Sequence, residues 1–366
     1  MRIAILSDST SIHTYRWVKS LSERGCEIML ISLLKDDLSR YKNLPGVEVF
    51  SFEYDLSEKS FATQWFLGKA IYFLSIKKIK KLIKYYKPDI LHAHYASSFG
   101  LIGALTHFHP YVVSVWGSDV YEYPLAGKIY RKMLEYSLRC SDYLLSTSHC
   151  MAKETGKYTD KNIYITPFGV DLNLFRPLEK SDRQSFTIGN IKSLRPVYGI
   201  DTLIRAFALL KDCNPELDLR LQIAGEGPAK GELLQLCKDL SIQNNVEFIG
   251  FIANDKLPEV YNQLDVAVFL SRKESFGVAA IEAMACECPV VTSNADGYLE
   301  VVEDGVSGFI VESENPAAAA QSIQRLIDDK CLRRQIGSAG RKRAETLFDW
   351  NKNVDTMLEI YRQVLN

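Results

Sequence analysis

The chain has 366 residues with a formal net charge of −1, and 47% of its residues are hydrophobic. A chain of this length is expected to form two domains with ordinary globular cores. No run of about 18 uncharged apolar residues is present, which argues against a transmembrane helix, and the N-terminal MRIAILSDST is too polar for a signal peptide.

The charges and the cysteines point to a partner and a compartment. Residues 1–170 contain 22 Lys and Arg against 16 Asp and Glu, whereas residues 171–366 contain 22 against 29. A basic first half suggests an anionic partner, either a phosphate-bearing substrate or a membrane surface; no nucleic-acid partner is expected. Of the eight cysteines only Cys286 and Cys288 are close, and no second pair completes a zinc site, so a reducing cytoplasm is expected.

Short apolar runs alternate with amphipathic stretches, which is typical of parallel α/β sheets. In the first half, strands are predicted at 2–7, 27–33, 47–51, 89–94, 111–116, 142–147 and 162–166, and helices at 13–24, 63–86 and 127–139. The aperiodic, turn-rich stretch 167–184 predicts a linker. Strands are then predicted at 186–191, 219–224, 246–250, 266–270 and 289–292, followed by a last helix at 350–365. Two Rossmann-like domains follow, with ligands at the carboxyl ends of the strands.

Two glutamates eight residues apart flank the start of a predicted helix. Glu274 precedes the turn Ser275-Phe276-Gly277, and Glu282 lies inside the Ala-rich run that follows. Free N–H groups at a helix start favour an anion such as phosphate, and carboxylates accept hydrogen bonds from sugar hydroxyls. The pattern therefore suits a sugar nucleotide. The alternative is an ordinary capped helix with a solvated glutamate.

The stretch 274–311 resembles the signature of the family 4 glycosyltransferases of the GT-B fold. The matching residues are Glu274, Phe276, Gly277, Glu282, Ala283, Met284, Ala285, Pro289, Val290, Val291, Gly297, Glu300, Gly305 and Gly308. Two positions depart from the family pattern, which has Gly in place of Glu287 and of Asp296. The resemblance covers nearly the whole chain, including the linker.

This resemblance implies an α/β protein of the GT-B fold, in which two Rossmann-like domains face a cleft. Residues 1–170 would form the acceptor-binding domain, onto which a C-terminal helix (350–366) crosses back, and residues 171–349 the domain that binds the nucleotide sugar. The implied chemistry is a retaining transfer in which the leaving phosphate takes the acceptor's proton. UDP is the expected nucleotide, and GDP stays open.

The resemblance also implies roles for the donor-binding residues. Glu282 would hold the ribose hydroxyls, and Glu274 the region of the sugar's 3- and 4-hydroxyls. The backbone of the intervening turn would meet sugar or phosphate, while a glycine turn and a strand end would lie beside the nucleotide. These further candidates are Gly225, Phe251, Ile252, Ser275, Phe276, Gly277 and Val278.

Two cations, Lys192 and Arg195, follow the first strand of the second domain. No Asp-x-Asp motif at a strand end is available to hold a metal, so we expect neither metal nor cofactor beyond the nucleotide sugar. Fixed cations would then stabilise the leaving diphosphate. Family members usually carry Gly-Arg-x-x-x-x-Lys-Gly here, whereas this chain has Asn190 and Tyr198, so the catalytic cations are assigned to Lys192 and Arg195. The alternative is a pair of solvated loop cations.

In the first half, His92 and His94 share one face of a predicted strand. The resemblance assigns His94 to the family's histidine that reaches the donor sugar, and a structural role under a helix is the alternative for His92. A metal cluster with His107 and His109 lacks a carboxylate or third ligand at suitable spacing.

Acceptor contacts are expected from two loops of the first half. Trp116 offers an aromatic face for a sugar ring, and Asp119 either accepts an acceptor hydroxyl or caps a helix. Ser9, Thr10 and His13 replace the glycines that the family has after its first strand, which suggests altered acceptor binding.

A lysine-rich amphipathic helix is predicted at 64–87. Its aromatic residues and the lysines Lys77, Lys78, Lys80, Lys81, Lys84 and Lys87 suit either a solvated surface face or an anionic membrane surface. We expect peripheral contact with the membrane, at the inner face of a cytoplasmic enzyme.

Together these features predict a glycosyltransferase that moves a sugar from a nucleotide-diphosphate sugar to a glycan or lipid-linked saccharide. Two alternatives stay open: a GT-B sugar-nucleotide epimerase, which would turn over the donor alone, and a non-catalytic module, which would bind UDP and transfer nothing.

Overall fold

The computed structural model of the chain describes residues 1–34, 37–54, 75–179 and 185–366. The chain divides into two compact units. Unit 1 comprises Met1–Pro167 and Asn351–Asn366, and unit 2 comprises Phe168–Trp350. The predicted boundary after residue 170 lies close to this division, while the binding role assigned to each domain stays a prediction.

Unit 1 is built on a parallel sheet, as its alternating sequence predicts. Its strands are β1 (Arg2–Leu6), β2 (Glu27–Leu34), β3 (Val47–Tyr54), β4 (Ile90–His94), β5 (Tyr111–Val115), β6 (Tyr143–Ser146) and β7 (Ile163–Ile165). Within the described residues they pair in the order β3-β2-β1-β4-β5-β6-β7. The central strands β1, β4 and β5 are almost wholly buried, which explains their continuous apolar runs.

The helices of unit 1 cover this sheet. They are α1 (Ile12–Glu23), α2 (75–86), α3 (Phe99–Thr106), α4 (Ser118–Tyr121), α5 (Lys128–Cys140) and α6 (His149–Thr155), with 3-10 turns at Leu38–Tyr41 and Tyr123–Ala126. Each longer helix buries one apolar stripe, such as Leu134 and Leu138 of α5. Residues 63–74 of the predicted helix 63–86 lie outside the described residues.

Unit 2 repeats the same architecture. Its strands are β8 (Phe186–Ile191), β9 (Leu219–Ala224), β10 (Val246–Gly250), β11 (Val266–Phe269), β12 (Val290–Ser293) and β13 (Phe309–Val311). In the described residues they form a parallel sheet in the order β10-β9-β8-β11-β12-β13. The strand β13 was not predicted, because three residues after a glycine turn carry too little periodicity to be recognised.

The helices of unit 2 are α7 (Ile200–Cys213), α8 (Lys230–Asp239), α9 (Leu257–Gln263), α10 (Val278–Ala285), α11 (Asp296–Val301), α12 (Pro316–Asp328) and α13 (Lys330–Leu347), with short 3-10 turns at Pro196–Tyr198, Gln243–Asn245 and Asn254–Lys256. They enclose a core that includes Ile188, Phe207, Leu221 and Val268. Residues 168–179 of the predicted linker belong to this unit, in which Val170 pairs with Asp349 in a parallel bridge.

The last helix, α14 (Trp350–Leu365), returns the chain to unit 1. Its Tyr361 hydroxyl lies 2.6 Å from His92 Nδ1, and its Asp355 pairs with Arg24 at 2.8 Å. The prediction that the C-terminal helix crosses back onto the first domain is therefore confirmed. None of the helices in the described ranges combines the length and the hydropathy that a bilayer-spanning helix needs.

Candidate active site

Two predicted catalytic residues of unit 2, Lys192 and Glu274, lie at the carboxyl edge of its sheet together with Tyr298, which was not predicted. Lys192 follows β8, Glu274 follows β11, and Tyr298 lies in α11 after β12. The strands β8, β11 and β12 are neighbours in a parallel sheet, so their carboxyl ends open on the same edge. Residues far apart in the chain therefore meet here.

Lys192 and Glu274 form an ion pair. Lys192 Nζ lies 2.6 Å from Glu274 Oε2, and the two side chains are only 14% and 10% exposed. The ammonium also lies 4.8 Å from the ring centroid of Tyr198, at the position where the family usually has lysine. Burial lowers the pKa of Lys192, but the Glu274 carboxylate outweighs burial, so the pKa lies above its ordinary value. The ammonium is thus a permanent cation at neutral pH.

Two hydroxyls complete the surroundings of Glu274 Oε2. The Tyr298 hydroxyl donates to this oxygen at 3.1 Å, and Ser271 Oγ lies 3.5 Å from it. The two hydroxyls are themselves 3.0 Å apart. Neither was predicted, because neither position is one of the matching residues of the family signature.

Glu282 lies on α10 and is buried, with an exposed fraction of 6%. The Tyr261 hydroxyl of α9 donates to its Oε2 at 3.2 Å. A buried carboxylate with a fixed donor is unlike the solvated glutamate of the alternative interpretation. Tyr261 is a second residue that sequence reasoning missed.

The turn that begins α10 depends on two glycines. Gly277 has φ of +105°, and a Cβ on Gly297 would lie 2.4 Å from the Phe276 nitrogen. The Gly297 N–H donates to the Glu274 carbonyl at 3.0 Å, which ties α11 to this turn. The Phe276 ring is buried against Phe348, so only the backbone of Phe276 is left for the predicted contact with a donor. The family pattern has a second glycine at position 296, before Gly297. The side chain of Asp296 is exposed, and the close backbone approach is made by Gly297.

Gly225 also stands at a close approach of two backbones. Its φ is +134°, its N–H donates to the Gly250 carbonyl at 2.7 Å, and a Cβ there would lie 2.0 Å from the Lys192 carbonyl oxygen. Phe251, which follows β10, is 78% exposed and available to stack on a base, with Ile252 beside it half-buried. The contacts with a nucleotide expected at these positions stay predictions.

Arg195 is not placed with Lys192. It is exposed and lines a groove of about 480 Å³ with Asp201, Arg205 and Arg272, between α7 and α8. Within the described residues, no hydrogen bond or ion pair joins its guanidinium to Glu274. Arg195 and Lys192 thus lie in different surroundings, and the catalytic role expected of these two cations stays a prediction.

In unit 1, His94 lies at the end of β4 beside Trp116, with 4.4 Å between ring centroids. His94 Nδ1 is 3.0 Å from Ser7 Oγ, and the ring of His13 meets Trp116 edge-on at 6.1 Å. Burial, with the neighbouring His92 and His13, lowers the pKa of His94 well below its ordinary value, and burial with Arg16 lowers that of His13 to about 4. Three predicted residues, His13, His94 and Trp116, are thus brought together as neutral, aromatic groups.

His92 has the structural role of the alternative interpretation. Its Nδ1 contacts Tyr361 and its Nε2 lies 2.8 Å from Ser114 Oγ, so both ring nitrogens are engaged. Burial lowers its pKa to about 3. In the described ranges no group of three or more His, Cys, Asp and Glu side chains is arranged to hold a metal ion.

The acceptor contact predicted for Asp119 is corrected. Asp119 is buried, and its carboxylate accepts from the N–H groups of Ala96, Trp116 and Gly117, so it organises two loops instead of facing an acceptor. Burial raises its pKa, and the N–H donors offset this only in part. It lies inside the first turn of α4, so it is not the N-cap residue either.

The loop after β1 presents fewer side chains than predicted. Ser9 is buried and its hydroxyl donates to Ser32 Oγ at 3.0 Å, whereas Thr10 is exposed and donates to Asp8. The Ser9 carbonyl accepts from Tyr41 at 2.8 Å and from Arg40. Ser9 therefore holds the loop, and Thr10 and His13 remain the acceptor-binding candidates. Arg40 belongs to the turn Leu38–Tyr41 and was not among the predicted residues; its side chain binds this loop through the Ser9 carbonyl.

Comparisons with known proteins identify the family of the chain. The family described as glycosyl transferases group 1 matches residues 174–343, and that described as glycosyl transferase 4-like matches residues 2–148. The chain is 27% identical over 375 residues to N-acetyl-alpha-D-glucosaminyl L-malate synthase of Bacillus anthracis, covering 95% of this chain and 92% of that one.

Solved structures share the fold over the whole chain. A sucrose-phosphate synthase from Thermosynechococcus elongatus matches with a TM-score of 0.83 and 20% identity, covering 100% of this chain and 99% of the other. Anabaena HepE, solved in complex with UDP and glucose, matches with a TM-score of 0.78 and 21% identity, covering 98% and 99%. The protein belongs to the group 1, or family 4, glycosyltransferases of the GT-B fold, an enzyme class with transferase activity.

Proposed function

We propose that the protein is a retaining, metal-independent glycosyltransferase that takes a sugar from a UDP-sugar and transfers it to a glycan or lipid-linked saccharide. The observation that carries this proposal is the buried Lys192–Glu274 pair beside the start of α10, on which Glu282 lies. This edge of the sheet combines a cation, a carboxylate that can accept hydrogen bonds from sugar hydroxyls, and a helix N-terminus.

Each part of the donor has a partner in unit 2. The diphosphate would bind the N–H groups at the start of α10 and Lys192. Glu274 would then accept hydrogen bonds from the sugar hydroxyls. Glu282 would accept from the ribose hydroxyls, and Phe251 would offer its exposed ring to the base. UDP is supported by Anabaena HepE, which was solved with UDP and glucose.

The reaction needs no protein nucleophile in this scheme. The acceptor hydroxyl would attack the anomeric carbon from the face that the diphosphate leaves, and the departing phosphate oxygen would take its proton. The charge that builds on the diphosphate would be met by Lys192 and the helix dipole. Within unit 1, His94 and Trp116 would offer neutral aromatic surfaces to a sugar.

The acceptor is proposed from the charge of unit 1. The lysines of α2 are exposed while Ile79, Ile83 and Tyr86 of the same helix are buried, so its basic face is available to an anionic lipid surface. This supports a lipid-linked acceptor used at the inner face of the cell membrane and a role in the assembly of a cell-surface polysaccharide.

The proposal is tested by donor binding and transfer with purified protein. Calorimetry with UDP, GDP and several UDP-sugars identifies the donor, and NMR of the product gives its anomeric configuration. Glu282→Ala should weaken UDP binding by about 10- to 100-fold, since a hydrogen bond to a charged group contributes roughly 1.5–3 kcal/mol. Unchanged UDP affinity in folded Glu282→Ala protein would contradict the site.

The same assays separate the alternatives. Transfer should persist in excess EDTA, and activity that returns only with Mg²⁺ or Mn²⁺ would contradict the metal-independent scheme. Release of an epimerised sugar without any acceptor would indicate an epimerase. Tight UDP binding with no turnover on any acceptor would indicate a binding module.

A further inference from the structure

We propose that two buried tyrosines, Tyr298 and Tyr261, are positioning residues that hold Glu274 and Glu282 separately, so that recognition of the sugar and of the nucleotide can be altered independently. This inference rests on the proposed function, because it assigns the sugar to Glu274 and the ribose to Glu282. Tyr261 lies outside the stretch 274–311 that resembles the family signature, and Tyr298 lies inside it without being one of the matching residues.

Tyr298 and Lys192 crowd one oxygen of Glu274. The Tyr298 hydroxyl and Lys192 Nζ lie 3.1 and 2.6 Å from Oε2, and Ser271 Oγ lies 3.5 Å from the same atom. Within the described residues, Glu274 Oε1 has no hydrogen-bond partner. A carboxylate oxygen accepts two hydrogen bonds, so a carboxylate anchored through Oε2 presents Oε1 to a ligand hydroxyl in one fixed direction.

The position of Tyr298 is itself constrained. Its side chain is wholly buried, and its ring lies 2.8 Å from the place that a Cβ on Gly277 would occupy. A larger residue at 277 would therefore displace the ring. The ring thus supports the turn that begins α10, while its hydroxyl reaches Glu274 on the other side of that turn.

Tyr261 stands in the same relation to the other glutamate. It is wholly buried in α9, and its hydroxyl donates to Glu282 Oε2 at 3.2 Å. Burial and the adjacent carboxylates raise the pKa values of Tyr261 and Tyr298 well above the ordinary range, so both hydroxyls stay protonated donors. The two tyrosines come from different helices, α9 and α11, which allows one glutamate to be perturbed without the other.

The experiment compares Tyr298→Phe and Tyr261→Phe, which keep the ring and remove only the hydroxyl. Binding of UDP, UDP-glucose, UDP-galactose and UDP-N-acetylglucosamine is measured by calorimetry for each protein. We expect Tyr298→Phe to weaken the preferred UDP-sugar by roughly 5- to 10-fold while UDP affinity stays within about twofold. Tyr261→Phe should weaken UDP and the UDP-sugar by the same factor.

A matched control is Tyr111→Phe, which removes a buried hydroxyl that donates to the Gly100 carbonyl in unit 1. It should leave both affinities unchanged. If Tyr298→Phe does not fold, Ser271→Ala removes the hydroxyl 3.0 Å from Tyr298 and should cause a smaller loss in the same direction. Thermal unfolding of each variant verifies the fold.

The outcomes distinguish this inference from the proposed function. Wild-type protein that binds neither UDP nor any of the UDP-sugars overturns both. Wild-type protein that binds UDP but gains nothing from any sugar overturns the role of Glu274 and with it this inference. If the donor binds and the two tyrosine variants lose UDP affinity alike, or lose nothing, only the separate positioning is overturned.

Discussion

Lys192 and Glu274 are 82 residues apart in the chain, yet their side chains meet at 2.6 Å. Each follows a strand of the same parallel sheet, so the contact is a direct product of the strand order β8-β11. The Lys192 ammonium also lies 4.8 Å from the ring centroid of Tyr198, the residue at the position where the family usually has lysine.

The first prediction concerns this cation. Lys192→Met should reduce kcat by about 10²- to 10³-fold, the usual effect of removing one preorganised group from a developing negative charge. It should also lower the free energy of unfolding, since Glu274 would stay buried without its cation. Steady-state kinetics and urea denaturation measure the two effects.

Lys230→Met is the matched control for Lys192→Met, because it breaks a surface ion pair with Glu226 in the same unit. An exposed pair contributes about 1 kcal/mol or less, so this variant should remain active and nearly as stable as wild type. Equal kcat values for Lys192→Met and Lys230→Met would remove Lys192 from catalysis.

The donor side of the site was largely predictable, and the physical reason is its local pattern. Glu274, Gly277 and Glu282 lie within nine residues around one helix start, where chain geometry alone relates them. Tyr261 and Tyr298 were missed because their contacts with the glutamates depend on how α9 and α11 pack on the sheet. A tyrosine on the buried face of a helix is interpreted as a core residue from sequence alone, whether or not its hydroxyl binds a carboxylate.

Errors in unit 1 have a common cause. Ser9 and Asp119 follow strands, where polar side chains are expected to face ligands, but the loops that carry them also contain backbone groups that must be satisfied. Asp119 accepts three N–H groups and the Ser9 hydroxyl anchors to Ser32. Sequence reasoning does not show which polar residue in a loop is used by the loop itself.

The second prediction concerns Glu287, at a position where the family pattern has glycine. This residue follows α10 with φ of +55°, a left-handed conformation that favours the glycine present in the family pattern. Glu287→Gly should stabilise the protein by about 1 kcal/mol, which raises Tm by about 2–4 °C for a unit of this size. Glu287→Ala keeps a Cβ and should give no such gain. A Tm that falls in Glu287→Gly would show that the glutamate side chain stabilises the fold more than its backbone strains it.

The third prediction concerns acid stability. Burial lowers the pKa of His92 to about 3, whereas an unfolded histidine titrates near 6.5. At these pH values the unfolded chain therefore binds a proton at His92 that the folded chain does not bind. The free energy of unfolding falls as the pH drops from about 6.5 toward 3, by about 1.4 kcal/mol per pH unit for this residue. His13 and His94, with lowered pKa values, add to the same trend.

Replacing His92 with Asn should reduce the slope of the free energy of unfolding against pH by the amount that corresponds to about one proton. Urea denaturation between pH 8 and pH 5 measures the slope, and the values at pH 8 give the loss that is due to packing and hydrogen bonds alone. Identical slopes in wild type and His92→Asn would mean that His92 accepts a proton in the folded state.

The last prediction concerns the basic face of α2. Lys77, Lys78, Lys80, Lys81 and Lys84 are exposed on this helix, and attraction to an anionic lipid surface amounts to about 1 kcal/mol for each. Changing all five to Gln should abolish sedimentation with anionic liposomes at low salt and reduce transfer to a lipid-linked acceptor. UDP affinity should not change, because the proposed donor site is built from unit 2.

A charge-matched control decides whether position matters. Changing five exposed lysines elsewhere to Gln gives the same net charge; suitable positions are Lys238, Lys256, Lys330, Lys342 and Lys352. This control protein should still sediment with anionic liposomes if the basic face of α2 binds the lipid surface. If only the net charge matters, it should fail to sediment, as the α2 variant does. Raising the salt concentration should release the wild type, since screening shortens the reach of exposed charges. Wild-type protein that ignores anionic liposomes, together with an α2 variant that glycosylates a lipid-linked acceptor normally, would leave these lysines as a solvated surface.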